Sequence, residues 1–204
     1  VLTAAHCASE AVAVVGARRL ADPRCGGRRV PVCRAFRHAG FQRHRAFRHD
    51  LALVELASEV TTGSITLSPS DMVLDPGAVL KAFGWRLDSG LPSLELRRRR
   101  VRLLTSASAE RRLSGWEGRT LAAEVLAAEP VAWPGDSGGP VVLDRDEGPL
   151  LVGIVGRSGL GELPDLITAI SPYRQWIERV IAGDLSSAES CFLSPDPAAS
   201  SGAG

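Results

Sequence analysis

An all-β chain of barrel architecture, closed by one C-terminal helix, is what this sequence predicts, on three observations. Its apolar segments are short, turn residues separate them, and helical periodicity is sustained only near the end of the chain. With 204 residues, 45% of them hydrophobic and 23% charged, the chain can bury a core as one or two small domains.

The opening apolar residues 1–5 read as a strand ending at His6. Residues 11–15 form a second short apolar run, bounded by Gly16. Asp22-Pro23 and Gly26-Gly27 read as turns, and residues 30–36 as a strand. Residues 51–56 are a strand. Residues 65–67 lead into Ser68-Pro69, where the boundary between a first half (1–69) and a second half (70–183) is placed. In the second half, strands are expected over 79–85, 94–104, 121–126, 141–143 and 150–155.

The helix comes last. Ser171 caps it, Pro172 takes its first position, and Tyr173, Trp176, Ile177, Val180 and Ile181 share one face before Gly183 ends it. Residues 184–204, rich in Ser, Ala, Pro and Gly, read as a flexible tail or linker. The chain opens without Met inside a strand, so it is expected to be a piece of a longer protein whose first strand edge needs a neighbour.

A net charge of +1 gives no general attraction to nucleic acid or anionic membrane. No 18-residue apolar run is present, so no membrane span is expected. Arg97-Arg98-Arg99-Arg100-Val101-Arg102 lacks interleaved aromatic residues, and strand alternation sends its side chains to both faces. It reads as a solvated edge strand rather than a nucleic-acid stripe.

Four cysteines allow three pairings. Cys25 and Cys33 flank a short loop that a local disulfide would close, and Cys191 has no evident partner. This usage fits an oxidising, extracytoplasmic compartment, consistent with secretion. Seven, four and five residues separate Cys25, Cys33, His38 and His44, unlike compact zinc ligand pairs, so no metal is expected.

The chemistry concentrates in Gly135-Asp136-Ser137-Gly138-Gly139-Pro140. A serine hydroxyl needs a neighbouring base to become a nucleophile. Glycines let the backbone turn sharply and let a substrate carbonyl approach main-chain N–H groups, here those of Gly135 and Ser137. All four histidines, His6, His38, His44 and His49, precede Ser137, which excludes the Ser-acid-His order of α/β-hydrolases. The Asp-His-Ser order would need Asp22, which does not stand at a strand end. His-Asp-Ser remains, with His6 after Val1-Leu2-Thr3-Ala4-Ala5 and Asp50 before Leu51-Ala52-Leu53-Val54. His49 cannot replace His6, because strand neighbours point to opposite faces.

These three blocks, Thr-Ala-Ala-His-Cys, Asp-Leu-Ala-Leu and Gly-Asp-Ser-Gly-Gly-Pro, separated by 44 and 87 residues, resemble the chymotrypsin/trypsin family. The resemblance implies two packed six-stranded antiparallel barrels, the first truncated, and a serine endopeptidase. Ser137 would attack the peptide carbonyl, His6 would carry the proton and Asp50 would hold the imidazole, without a cofactor. Polypeptide substrates and protein inhibitors would be its partners. It further implies a bridge from Cys7 to a cysteine on a preceding strand. A catalytically silent binding protein on the same fold is the alternative.

Asp136, beside the nucleophile, should be buried and so needs a cation. In zymogens of the resembled family this is an α-ammonium freed by cleavage upstream; an internal arginine is the other option. Several positions depart from the family pattern. His38-Ala39-Gly40-Phe41 resembles the family's histidine-proline turn with Ala39 in the proline's place, Arg86 replaces a glycine, and Gly156-Arg157-Ser158 stands for Ser-Trp-Gly. Val131 replaces the aspartate of trypsin-like specificity pockets, and Trp133 and the Gly161 region lack the cysteine pair that braces that pocket. Asp165 and Arg157 would either pair with one another or stand as separate solvated loop charges, and a small or medium apolar residue is expected before the cut bond, with basic residues disfavoured.

Overall fold

The computed structural model describes residues 1–9, 12–19, 27–42, 48–88, 91–92, 95–114, 121–161 and 163–184. Cys25, His44, Cys191, the turn at 22–23 and the tail beyond 184 lie outside the described residues.

The strands in chain order are β1 (Leu2–Thr3), β2 (Val12–Val15), β3 (Arg28–Arg37), β4 (Ala52–Leu56), β5 (Thr66–Leu67) and β6 (Val79–Gly84). A small hairpin, β7 (Leu87–Asp88) and β8 (Leu91–Pro92), precedes β9 (Arg97–Arg102), helix α1 (Ser106–Arg112) and β10 (Val125–Ala128). Strands β11 (Pro140–Leu143), β12 (Leu150–Arg157) and β13 (Asp165–Ala169) lead to helix α2 (Arg174–Ala182). The chain is therefore mostly β, with two curled antiparallel sheets and a terminal helix, as expected.

The first sheet runs β1-β4-β3-β2 and the second β10-β13-β12-β11-β6-β9, with β5 added in parallel to β12. The ends of the second sheet meet. The Leu104 N–H donates to the Ala127 carbonyl at 2.9 Å and the Glu129 N–H to the Arg102 carbonyl at 2.9 Å. Leu103 and Ala128 pair across this seam, which brings the sheet's two outer strands together as a barrel requires.

One apolar cluster fills the second sheet, built on Leu80, Val101, Val141, Leu150, Val152, Val155 and Ile167. A second lies between the sheets and α2, with Leu51, Leu53, Val142, Leu151, Ile154, Ile170, Tyr173 and Ile177. Alternation divides neighbours between them: Val141 and Leu150 face one cluster, Val142 and Leu151 the other. Being buried on both faces, β12 reads as a continuous apolar run rather than an alternating one.

The terminal helix begins as a 3-10 turn at Ser171–Tyr173 before α2. It ends in a left-handed Gly183, φ 82°, whose N–H reaches the Val180 carbonyl while the Asp184 N–H reaches that of Arg179. This is the glycine-terminated cap its sequence invites. Ile181 departs from expectation at 72% exposed, because the packed face takes only Tyr173, Trp176, Ile177 and Val180.

Helix α1, strand β13 and the β7–β8 hairpin were not anticipated. Helix α1 is capped by the Thr105 hydroxyl, which accepts the Ser108 N–H at 3.1 Å, and it buries only Ala109, so it has no apolar stripe to read. Strand β13 lies between β10 and β12 and is buried throughout. The expected strand over 94–104 narrows to β9, and the one over 121–126 shifts along the chain to β10.

Candidate active site

The opening strand stops at Thr3, and Ala5–Cys7 forms a 3-10 turn that presents His6. Arg37, at the end of β3, clamps this turn: its Nε donates to the Ala5 carbonyl at 3.2 Å and its Nη2 to that of Ala8 at 2.9 Å. Asp50, fully buried just before β4, accepts the His6 backbone N–H on Oδ1 at 2.9 Å and meets His6 Nδ1 with Oδ2 at 2.6 Å. Two contacts from one carboxylate fix both ring and backbone. With Nδ1 donating, Nε2 is left to accept a proton. The Asp50 hydrogen bond, joined by one with Cys7, raises the His6 pKa above the ordinary histidine value, against the opposing effect of burial.

His49 diverges from Asp50, as the sequence suggested, but for a different reason. It stands before the strand in the left-handed region, φ 54°, rather than on it. Its Nδ1 lies 2.8 Å from the Tyr173 hydroxyl, its Nε2 3.5 Å from Glu124 Oε1, and its ring stacks on His38 at 5.0 Å. It thus ties this corner to α2. His38 opens the expected turn, its carbonyl accepting the Phe41 N–H at 2.9 Å.

Ser137 lies in the loop between β10 and β11. Its hydroxyl donates to the Gly156 carbonyl at 3.4 Å, a long contact for an O–H donor. Two glycines bring this loop against the His6–Asp50 pair. A Cβ on Gly138 would meet Thr3 Oγ1 at 2.4 Å and Cys7 Sγ at 3.6 Å, and one on Gly156 would lie 3.5 Å from Asp50 Oδ2. The serine loop therefore packs on the histidine turn, and Gly156, whose carbonyl accepts from Ser137, lies alongside Asp50. Gly135 has φ 89°, a conformation glycine adopts without strain. Among the described residues, neither the Gly135 nor the Ser137 N–H donates to a protein acceptor.

Asp136, 3% exposed, has the cation its burial demands. Arg99 Nη1 donates to its Oδ2 at 2.6 Å, where the Trp133 N–H also arrives at 2.9 Å; Oδ1 takes the Arg86 N–H at 3.0 Å. The partner is thus an internal arginine. The Arg97–Arg102 strand is therefore not simply solvated: Arg98, Arg100 and Arg102 face outward, but Arg99 turns in beside buried Val101. Arg86 sits at φ 44° where the resemblance expected glycine, and its guanidinium lies over the Trp133 ring at 4.0 Å.

The remaining predicted positions surround the same loop. Asp165, 1% exposed, accepts Val131 N–H and Ala132 N–H on Oδ2, each at 2.7 Å, and Gly159 N–H on Oδ1 at 2.8 Å. The expected pair with Arg157 does not form. Three converging amides satisfy the carboxylate instead. Burial raises the Asp165 pKa, the amides pull it down and Asp136 adds repulsion, while burial lowers that of Arg157. Ser158 closes the wall, its hydroxyl donating to the Ala132 carbonyl at 2.5 Å and accepting the Leu160 N–H at 3.2 Å. Asp165 and Ser158 thus pin loop 131–133 to loop 158–160, where no cysteine pair does so.

Sequence reasoning missed Arg99, Arg37 and Thr168, whose hydroxyl donates to the Asp50 carbonyl at 3.2 Å. The arginine run was a signal for Arg99, since alternation must turn one set inward. Nothing local marked the other two.

A family model described as Trypsin matches residues 1–177. Over 190 residues the chain is 28% identical to chymase of Canis lupus familiaris, covering 89% of this chain and 74% of that protein. It is 30% identical over 223 residues to serine protease 56 of Homo sapiens, 97% of this chain but 36% of that protein. To granzyme M of Rattus norvegicus it is 27% identical over 203 residues, covering 89% and 75%. The matched span takes in positions 6, 50 and 137 together, so the chain belongs to the trypsin-like serine protease family.

Proposed function

We propose that this chain is a serine endopeptidase that hydrolyses peptide bonds through an acyl-enzyme. The observation that carries the reading is the doubly held Asp50–His6 pair beside the serine loop. His6 Nε2 takes the Ser137 proton as Oγ attacks the carbonyl carbon, then gives it to the departing amine. The weak Ser137–Gly156 contact costs little to break as the hydroxyl turns to the imidazole. Asp50 holds the tautomer and stabilises the imidazolium. The uncommitted N–H groups of Gly135 and Ser137 receive the oxyanion, each such donor contributing about 3–4 kcal/mol in sites of this kind.

The test is labelling of the full-length protein with a fluorophosphonate. Ser137→Ala and His6→Ala should each abolish it. Each should remove about 10⁶ of turnover, with the double variant little worse, because the groups act as a unit. Failure of the wild type to label would favour the silent binding protein.

Its substrates are polypeptides, preferred with a small or medium apolar residue before the cut bond. Val131 offers no counter-ion, and both Asp165 oxygens are engaged by loop amides. Comparing kcat/KM for matched peptides with Ala, Leu, Phe, Glu or Arg there measures this. A preference for Arg that vanishes in Asp165→Ala would reassign the pocket. The cysteine usage supports an extracytoplasmic, secreted setting.

A further inference from the structure

We propose that Arg99 is the positioning residue of the nucleophile loop: from inside the barrel it supplies the positive charge that holds Asp136. Its catalytic meaning rests on the protease reading; its structural claim does not.

Asp136 stands between the two uncommitted N–H groups, those of Gly135 and Ser137. Anchoring its side chain therefore anchors the peptides on either side. The anchor is specific. Arg99 sits on β9 opposite Ala82 of β6, whose small side chain leaves the barrel wall open there, while Arg98 and Arg100, opposite Phe83 and Lys81, occupy the outer face. The carboxylate is enclosed: a Cβ on Gly84 would lie 2.2 Å from its Oδ1 and 3.0 Å from the Asp136 Cα. Trp133 and Arg86 amides complete the shell. Because a buried carboxylate without a cation is strongly destabilising, the charge that orders this loop must be permanent or must be delivered. Here it is permanent, since a guanidinium stays protonated at any working pH. A second cation would find Oδ2 already accepting twice and little space on the Gly84 side.

The experiment uses the full natural chain, with its N-terminal amine free or blocked by acetylation. Amide hydrogen exchange is followed over residues 131–139 in wild type, Arg99→Met, Arg99→Lys and the outward-facing control Arg98→Met. Arg99→Met should speed exchange roughly tenfold or more, Arg99→Lys should restore part of the protection, and Arg98→Met should match wild type. In parallel, Arg99→Met should lower kcat about 10²–10³-fold with KM nearly unchanged, as loss of an oxyanion donor does. Acetylation should change neither readout. Should Arg99→Met fold poorly, the double variant Arg99→Met/Asp136→Asn should regain stability by removing the orphaned charge. Wild-type exchange in Arg99→Met, protection that needs a free amine, or no recovery in the double variant would each overturn the proposal. A wild type that hydrolyses nothing, yet whose loop loosens in Arg99→Met, would refute the protease reading alone.

Discussion

Asp136 and Asp165 are both buried, at 3% and 1% exposure, and both brace the loop that carries Ser137, yet they are satisfied in different ways. Asp136 takes one guanidinium and two backbone amides. Asp165 takes three amides and no cation. A guanidinium supplies an opposite charge, whereas amides give a carboxylate direction without neutralising it. The Asp165 pKa accordingly rises with burial even though its hydrogen bonds oppose the rise. The cation-held residue anchors the peptides on either side of it, those of Gly135 and Ser137. The amide-held one staples the pocket walls, the task a disulfide would otherwise perform.

The contrast is broken most sharply at Asp136. Asp136→Ala strands Arg99, whose side chain is only 20% exposed, and should cost about 3–5 kcal/mol in chemical denaturation. A loss under 1 kcal/mol would show the pair to be dispensable.

Asp165→Ala should cost less, about 1–3 kcal/mol, because its orphaned groups are neutral N–H donors rather than a charge. Its signature is functional: the walls at 131–133 and 158–160 should separate, raising KM for the apolar peptides more than it lowers kcat. An equal loss at both carboxylates would erase the distinction between cation and amide partners.

Asp50 extends the comparison to a partner that titrates. Its hydrogen bond raises the His6 pKa, with Cys7 adding to the rise. The base must be neutral to accept a proton, so kcat/KM should climb with pH through a limb above the ordinary value of about 6.5. For stability the sign is opposite. A raised folded-state pKa contributes below about 6.5 and is lost as pH rises through the folded value, so the wild type's margin over Asp50→Asn should shrink toward alkaline pH. Rate profiles and denaturation at several pH values measure both, and a limb below 6.5 would contradict the geometry.

The smallest effect is expected on the surface. Arg34 and Glu55 pair at 2.6 Å with side chains 47% and 44% exposed, so Arg34→Ala should change stability by about 0–1 kcal/mol and less at high salt. A larger loss would mean that exposed and buried carboxylates here are not distinct classes.

Much of this was legible in the chain itself. The blocks around His6, Asp50 and Ser137 are local patterns, and each folds locally as its residues require: a turn after an apolar strand, a carboxylate before β4, glycines around a sharp bend. The glycine after α2 and the proline before it marked the helix for the same reason. What stayed hidden lacked a local signature. Helix α1 buries a single alanine, so no periodicity announces it. Strand β13 opens on an aspartate, a residue depleted in strands, and is sustained by pairing with β10 and β12.

By itself, then, the sequence determined the family, the order of its His, Asp and Ser blocks and the need of Asp136 for a cation, because motif chemistry and the cost of a buried charge depend on residue identity alone. Only the tertiary structure decided which of five arginines in the β9 run meets that need. The register with β6 places Arg99 opposite Ala82 and turns it inward, whereas a slip of one residue would send it outward and turn Arg98 or Arg100 in. The same holds for Asp165. Its three amides come from loops that meet only when β10 and β12 pack on either side of β13, so they, rather than the nearby Arg157, became its partners.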